Sequence, residues 1–205
     1  MPRLIITRHG HVEGIDPPSF RGRSEIDLSP LGRQQVAATA SRIAANWRPQ
    51  ALYASPMRRC AETAAAIGAA LGLEPQLRHE LIDIDYGEWQ GLTHREAGEL
   101  YPRELQGWYH APHLTRFPQG EALQDVAVRS TDFLREVAFA GNIDIAVVGH
   151  ASSNRVLLLQ LLGLPLSAYW TIEQRPCALS VVLFDPERTR VLFMGDTSHV
   201  DNLPA

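Results

Sequence analysis

Apolar residues follow two rhythms along the chain. Short unbroken runs at 2–8, at 51–55 ("ALYAS") and at 143–150 ("IDIAVVGH") predict strands buried on both faces. Between them the spacing becomes helical. Leu31, Val36, Ala40, Ile43 and Trp47 share one face, as do Met57, Cys60, Ala61, Ala64, Ile67 and Leu71. A third helical face, from Glu121 to about 139, carries Leu123, Val126, Ala127, Phe133, Leu134 and Val137. Ser29-Pro30 reads as an N-cap followed by proline in the first turn, and Ser55-Pro56 repeats that signal. Gly72 stops the second helix. "SSNRVLLLQLLG" is a further helix, and "ALSVVLFD" with "TRVLFMGD" predicts an antiparallel hairpin turning at Pro186-Glu187.

The stretch 75–118 is less regular and rich in proline, tryptophan and histidine, with short helices expected, "THREAGELY" among them. Strands alternating with helices predict an α/β sandwich with a mostly parallel sheet and an antiparallel edge. No linker interrupts the 205 residues, so one domain spanning 1–205 is expected, with a middle insertion at about 84–120 forming part of a pocket.

Composition narrows the chemistry. The chain has no lysine: all 19 basic residues counted as Lys or Arg are arginine. That excludes a Walker lysine and a Schiff-base lysine. A net charge of −4 gives no general attraction to nucleic acid or membrane. Cys60 and Cys177 show no metal-ligand spacing. The apolar stretch Leu4–Ile6 is too short for a signal peptide, and "VLLLQLLGLPL" is broken by Gln160, Gly163 and Pro165. A cytoplasmic protein is expected.

In parallel sheets ligands bind beyond the carboxyl ends of the strands. Three segments reach that edge with polar residues: Arg8-His9-Gly10, Ser55 through Arg59, and Gly149-His150. Arginines and histidines gathered there require a compensating anion. Arginine's planar fork suits phosphate or carboxylate, and histidine serves as nucleophile or charge stabiliser.

The motifs "TRHG", "SPMRRCAETA", "DIDYGEWQGL", "PQGEALQDV", "VVGHAS" and "GDTSHV" occur in an order that resembles the phosphoglycerate mutase-like branch of the histidine phosphatase superfamily. The resemblance covers nearly the whole chain. It implies a three-layer α/β/α sandwich of phosphoglycerate mutase-like type and a metal-independent phosphatase with no cofactor. It implies that His9 is phosphorylated by the substrate and then dephosphorylated by water. Arg8, Arg59 and a protonated His150 would hold the phosphoryl oxygens, with Arg21 and the Gly22 backbone N–H closing over them. Family spacing selects Arg59 over Arg58, which helical periodicity does not separate. Asp83 stands where the family usually has a glutamate general acid; Asp85 and Glu88 are nearby stand-ins. The resemblance implies a small phosphorylated metabolite as partner, without nucleic acid or membrane, and leaves a homodimer open.

Two departures accompany it. Ile15 stands where many members have asparagine, and His11 and Val12 replace the residues common after the RHG motif. His11 is a candidate for substrate selection. Glu121 is a candidate contact for a phosphate-bound arginine, or a first-turn acid of its helix. His199 is expected in a structural hydrogen bond, and Trp89, Trp108, Tyr109 and Trp170 in packing. Three other readings compete: a mutase, disfavoured by the short middle region; "HGH" as an H-x-H metal pair; and a phosphate-binding regulatory protein.

Overall fold

The structure, a computed structural model, describes residues 1–203 apart from 14, 16, 139, 140, 186 and 187, and only the backbone of 185. Its six-stranded sheet has the order β3-β2-β4-β1-β5-β6. The strands are β1 (Arg3–Arg8), β2 (Ala51–Ala54), β3 (Gln76–Leu77), β4 (Ile145–Gly149), β5 (Leu179–Asp185) and β6 (Arg188–Asp196). β1 to β4 are parallel to one another, and β5 and β6 add the antiparallel edge.

Alternation along each strand divides the core into two layers. Ile5, Ala54, Ala146 and Val148 face α1 (Pro30–Asn46) and α2 (Arg58–Leu71), burying Ile43, Cys60 and Ile67. Leu4, Ile6, Tyr53 and Val147 face the other way, toward α5 (Leu123–Ala138) and α6 (Ala151–Leu162). With helices on both faces every central strand is buried, which is why no polar alternation breaks the runs in the sequence. The expected three-layer α/β/α sandwich is the observed one.

Ser29 caps α1 as expected, its Oγ accepting from Gly32 N at 3.0 Å, with Pro30 opening the helix. The second expected cap is different. α2 begins at Arg58, and Met57 in the cap position makes no side-chain cap bond. Ser55 is instead committed to His150, as described below. α5 likewise starts at Leu123 rather than Glu121, and Asp125 supplies the first-turn acid, accepting from Ala122 N at 2.8 Å. The expected end of α5 near 139 and the hairpin turn at Pro186-Glu187 lie outside the described residues.

Over the middle region the short helix α3 (His94–Leu100) opens on a Thr93–Glu96 capping box, and α4 (Pro102–His110) follows. Both are short helices of the kind expected here; the two-residue β3 was not anticipated. Trp89, Trp108 and Phe117 pack here around Tyr86 and Phe20. Among the described residues no helix is long and apolar enough to cross a membrane.

Candidate active site

β2, β4 and β1 are consecutive in the sheet, so their carboxyl ends arrive together. Arg8 pairs in register with Gly149, His9 N donates to Gly149 O at 3.1 Å, and Ser55 N donates to Val148 O at 3.0 Å. Register alone thus places residues as far apart in sequence as Arg8 and Gly149 at one edge. Gly10 permits the close approach of α1: a Cβ there would sit 2.6 Å from Gly32 O and 2.8 Å from Val36 Cγ2.

Arg8, His9, Arg59 and Asp83 line one cavity, with Ser19, Arg21 and Gly22 from the loop before α1 and Tyr86 and Ser152 beyond. His9 Nδ1 lies 2.7 Å from the carbonyl of Gly10, which requires a proton on Nδ1. Its Nε2 therefore carries the lone pair, and it accepts from Arg59 Nε at 3.3 Å. Burial first, then the charges of Arg8 and Arg59, hold the His9 pKa well below that of ordinary imidazole. The ring is a neutral, oriented base.

Arg59 is 1 % exposed. It donates to Gly22 O at 2.7 Å and Ser24 O at 2.8 Å, and lies 3.4 Å from Asp83 Oδ2. Arg58, one residue earlier, is exposed and pairs with Glu25 and Asp27. Arg8 donates to Gln174 O at 2.7 Å, while its buried Nε has no partner among the described residues. Burial and the neighbouring Arg21 lower the Arg8 pKa to about 10. An unpartnered guanidinium N–H in a cationic cavity is a site prepared for an anion.

His150 is fully buried, its ring 5.3 Å from that of His9. Its Nε2 meets Ser55 Oγ at 2.8 Å, and its Nδ1 lies 3.7 Å from Asp83 Oδ2. The expectation that it is protonated is opposed by its surroundings. Burial, then Arg59, His9 and Arg8, push its pKa well down. A proton on His150 has to arrive together with the charge of a bound anion.

Asp83 is also buried. Its Oδ1 accepts from Ile84 N at 3.0 Å, and burial raises its pKa although Arg59 opposes the rise. Asp85 and Glu88 do not share the position: Asp85 pairs with Arg23, and Glu88 bonds the Tyr101 hydroxyl. Gly22 meets Arg59 through its carbonyl, and Arg21 stands close enough to Asp83 and Tyr86 to feel their charge.

The remaining candidates lie elsewhere. His11 Nδ1 lies 2.7 Å from Ser29 Oγ and its N–H donates to Gln35, so it ties the loop to the cap of α1. It does not line the cavity. Ile15 packs with Val12 and Leu28. Glu121 contacts Arg23 at 2.9 Å and Arg129 at 3.3 Å, and neither Arg8 nor Arg59. His199 bonds Thr39 at 2.9 Å and Arg42 at 3.0 Å, the structural role expected of it. Trp89 and Trp108 are buried, whereas Tyr109 and Trp170 are partly exposed.

Sequence reasoning missed Ser55 as a partner of His150, and Arg129. From α5, Arg129 donates to Glu80 O at 2.9 Å, Ile82 O at 2.6 Å and Asp83 O at 3.2 Å. It clamps the segment that presents Asp83.

The family model of the histidine phosphatase superfamily (branch 1) matches residues 4–197. Phosphoserine phosphatase 1 of Hydrogenobacter thermophilus is 31% identical over 201 residues, covering 98% of this chain and 95% of that protein. A glucosyl-3-phosphoglycerate phosphatase of Mycolicibacterium vanbaalenii is 32% identical over 175 residues, 80% of this chain and 75% of that protein. The solved structure of a mycobacterial glucosyl-3-phosphoglycerate phosphatase superposes with a TM-score of 0.86 at 25% identity, covering 95% of this chain and 98% of that one.

Proposed function

The chain belongs to branch 1 of the histidine phosphatase superfamily, and from that premise we propose that it is a metal-independent phosphomonoesterase working through a phosphohistidine on His9. The observation that carries this reading is the lone pair of His9 Nε2, held 3.3 Å from Arg59 Nε in a cavity shared with Arg8 and Asp83. The named relatives act on phosphoserine and on glucosyl-3-phosphoglycerate, two different alcohols. The phosphoryl half of the site is what such enzymes can share.

A phosphomonoester entering the cavity takes up the N–H groups of Arg8 and Arg59, which frees the His9 lone pair. Nε2 attacks phosphorus in line as the bond to the leaving oxygen breaks. Arg8, Arg59 and His150 stabilise the equatorial oxygens. Asp83, whose protonated form burial favours, gives its proton to the departing alkoxide. The resulting carboxylate then takes a proton from water, hydroxide attacks phosphorus, the P–N bond breaks, and His9 is restored with release of phosphate. The 11–25 loop and the 84–120 segment form the wall that meets the alcohol.

The test is hydrolysis of a panel of phosphomonoesters with and without a chelator, with quenching in alkaline detergent to trap a phosphoenzyme. We expect activity that survives chelation and an acid-labile, base-stable phosphoenzyme. Activity lost with the chelator and restored by a divalent metal would overturn the mechanism.

Arg129 is proposed as a positioning residue, because it holds the carbonyls of residues 80, 82 and 83 without lining the cavity. Arg129→Met is expected to cut kcat by roughly 10- to 100-fold while KM moves only a few-fold, since a displaced acid costs mainly the chemical step. It also strands those carbonyls, at about 2–4 kcal/mol of stability by chemical denaturation, while Glu121 keeps Arg23. An unchanged kcat in a destabilised variant would assign Arg129 to the fold alone.

A further inference from the structure

The reaction needs a second reactant, the water that opens the phosphohistidine, and it has to be held in place. Arg8, Arg59 and His150 are committed to the phosphoryl oxygens, His9 to phosphorus and Asp83 to the proton. Of the other residues lining the cavity, Ser19, Arg21 and Gly22 belong to the loop before α1, and Ala151 carries no polar side chain. Tyr86 and Ser152 remain, and both are hydroxyls.

The Tyr86 hydroxyl meets Ser152 Oγ at 3.0 Å. Hydroxyls joined in this way keep lone pairs to spare. Their positions are fixed. Phe20, Phe117 and Trp108 hold the Tyr86 ring edge to face. Gly22 lies so close that a Cβ there would sit 2.9 Å from Tyr86 Cδ2. Ser152 is buried in the first turn of α6, two residues after His150. Burial first, then Tyr169 and Asp83, holds the Tyr86 pKa well above that of ordinary phenol. Beside Asp83, Tyr86 therefore stays a hydroxyl, which orients a proton but does not remove one.

Water attacks with a lone pair, so both of its O–H groups have to point away from phosphorus. The Asp83 carboxylate left by the first half-reaction accepts one of them. A second acceptor fixes the remaining rotation, and the hydroxyl pair is the acceptor in the same cavity as Asp83. The space is small, about 50 Å³, which admits a few water molecules held by the wall, not a solvent layer.

We propose that the Tyr86–Ser152 hydroxyl pair binds the hydrolytic water, which makes both residues catalytic in dephosphorylation and not in phosphorylation. The inference rests on the phosphohistidine reading above. The water gives one proton to Asp83 as its oxygen bonds to phosphorus. The P–N bond breaks and its electron pair returns to His9 Nε2. The other O–H, held by the pair, stays on the phosphate that leaves. Protonated Asp83 and neutral His9 are thereby restored. In the first half-reaction the ester oxygen occupies the same place, but it carries carbon where water carries hydrogen, so the pair has no proton to accept.

The experiment separates the two half-reactions in Tyr86→Phe and Ser152→Ala. The first variant keeps the ring contacts, and the second removes a single oxygen. Rapid mixing with p-nitrophenyl phosphate reads phosphorylation as release of nitrophenol. Phosphoenzyme remaining after removal of substrate, quenched in alkaline detergent, reads dephosphorylation. Each variant is expected to phosphorylate within about 3-fold of wild type and to dephosphorylate about 10- to 100-fold more slowly, the scale of a misplaced reactant, so that phosphoenzyme accumulates. Wild-type dephosphorylation in either variant overturns the proposal. So does an equal slowing of both steps, or a slowing of phosphorylation alone. If the wild-type protein forms no trappable phosphoenzyme, the phosphohistidine reading itself has failed. A normal wild-type phosphoenzyme with unaffected variants sinks only the assignment of the water.

Discussion

Replacing His9 with alanine is expected to abolish the trapped phosphoenzyme and to reduce turnover of any phosphomonoester by about 10⁴-fold or more. Removing a nucleophile on which a covalent route depends costs on that scale. The loss should appear in kcat, because Arg8 and Arg59 remain and inorganic phosphate still binds. The substitution also deprives Arg59 Nε of its acceptor, a modest penalty beside the carbonyls of Gly22 and Ser24 that hold the same group. Thermal unfolding should therefore remain cooperative, and calorimetric titration with phosphate should still show binding. A His9→Ala protein that turns over at the wild-type rate would remove His9 from the chemistry. One that binds no phosphate would instead make the ring a structural part of the anion site.

The strand ends were legible because burial on both faces writes each strand as an unbroken apolar run. Leu4–Arg8 and Ile145–Gly149 need no more than that, and once both are strands of one parallel sheet their polar ends meet. The α1 cap was legible because Ser29 has one local partner within reach, Gly32 N. The identical dipeptide at Ser55 misled for a tertiary reason. Its hydroxyl has a better partner, His150, 95 residues away, which no local pattern reveals. Arg129 was hidden similarly. From the sequence it is a polar residue on the outward side of an amphipathic helix, and nothing marks the carbonyls of the 80–83 turn as its targets. His11 shows the same limit. Its closeness to His9 in sequence suggested a place near substrate, whereas its ring meets Ser29 at the cap of α1 and does not line the cavity, a contact made by the return of the chain 18 residues later.

The charge state of His150 needed three dimensions. A histidine beside phosphate is readily taken as a cation. Enclosed with Arg8 and Arg59 at 0 % exposure, it is pushed toward neutrality. The same enclosure acts oppositely on Asp83, whose neutral form is the protonated one. Burial therefore favours the neutral form of both groups in one cavity, a base in His9 and an acid in Asp83. That pairing of directions is the physical content of the site, and it is what the exchange of glutamate for aspartate at position 83 has to preserve. Aspartate is one methylene shorter. Here its backbone is drawn in by Arg129 and by Arg23, whose Nε lies 3.4 Å from Asp83 O.

Asp83→Asn tests that poise directly. An amide has nearly the shape of the acid but no proton to give. Hydrolysis of alkyl phosphates is expected to fall by about 10²- to 10⁴-fold, the usual worth of a positioned general acid. p-Nitrophenyl phosphate should lose far less in the phosphorylation step, because its leaving group departs as a stable anion. The pH dependence sharpens the test. Phosphorylation requires neutral His9, so its rate rises with pH through the lowered His9 pKa; it requires protonated Asp83, so its rate falls as pH passes the raised Asp83 pKa. From ordinary values of about 6.5 and 3.9 the two limbs are drawn toward each other, which narrows the gap between them. Pre-steady-state phosphorylation by an alkyl phosphate should show both limbs in wild type. The alkaline limb alone should vanish in Asp83→Asn. If the variant keeps that limb, or loses equally on both leaving groups, the proton comes from elsewhere and Asp83 serves only to balance Arg59.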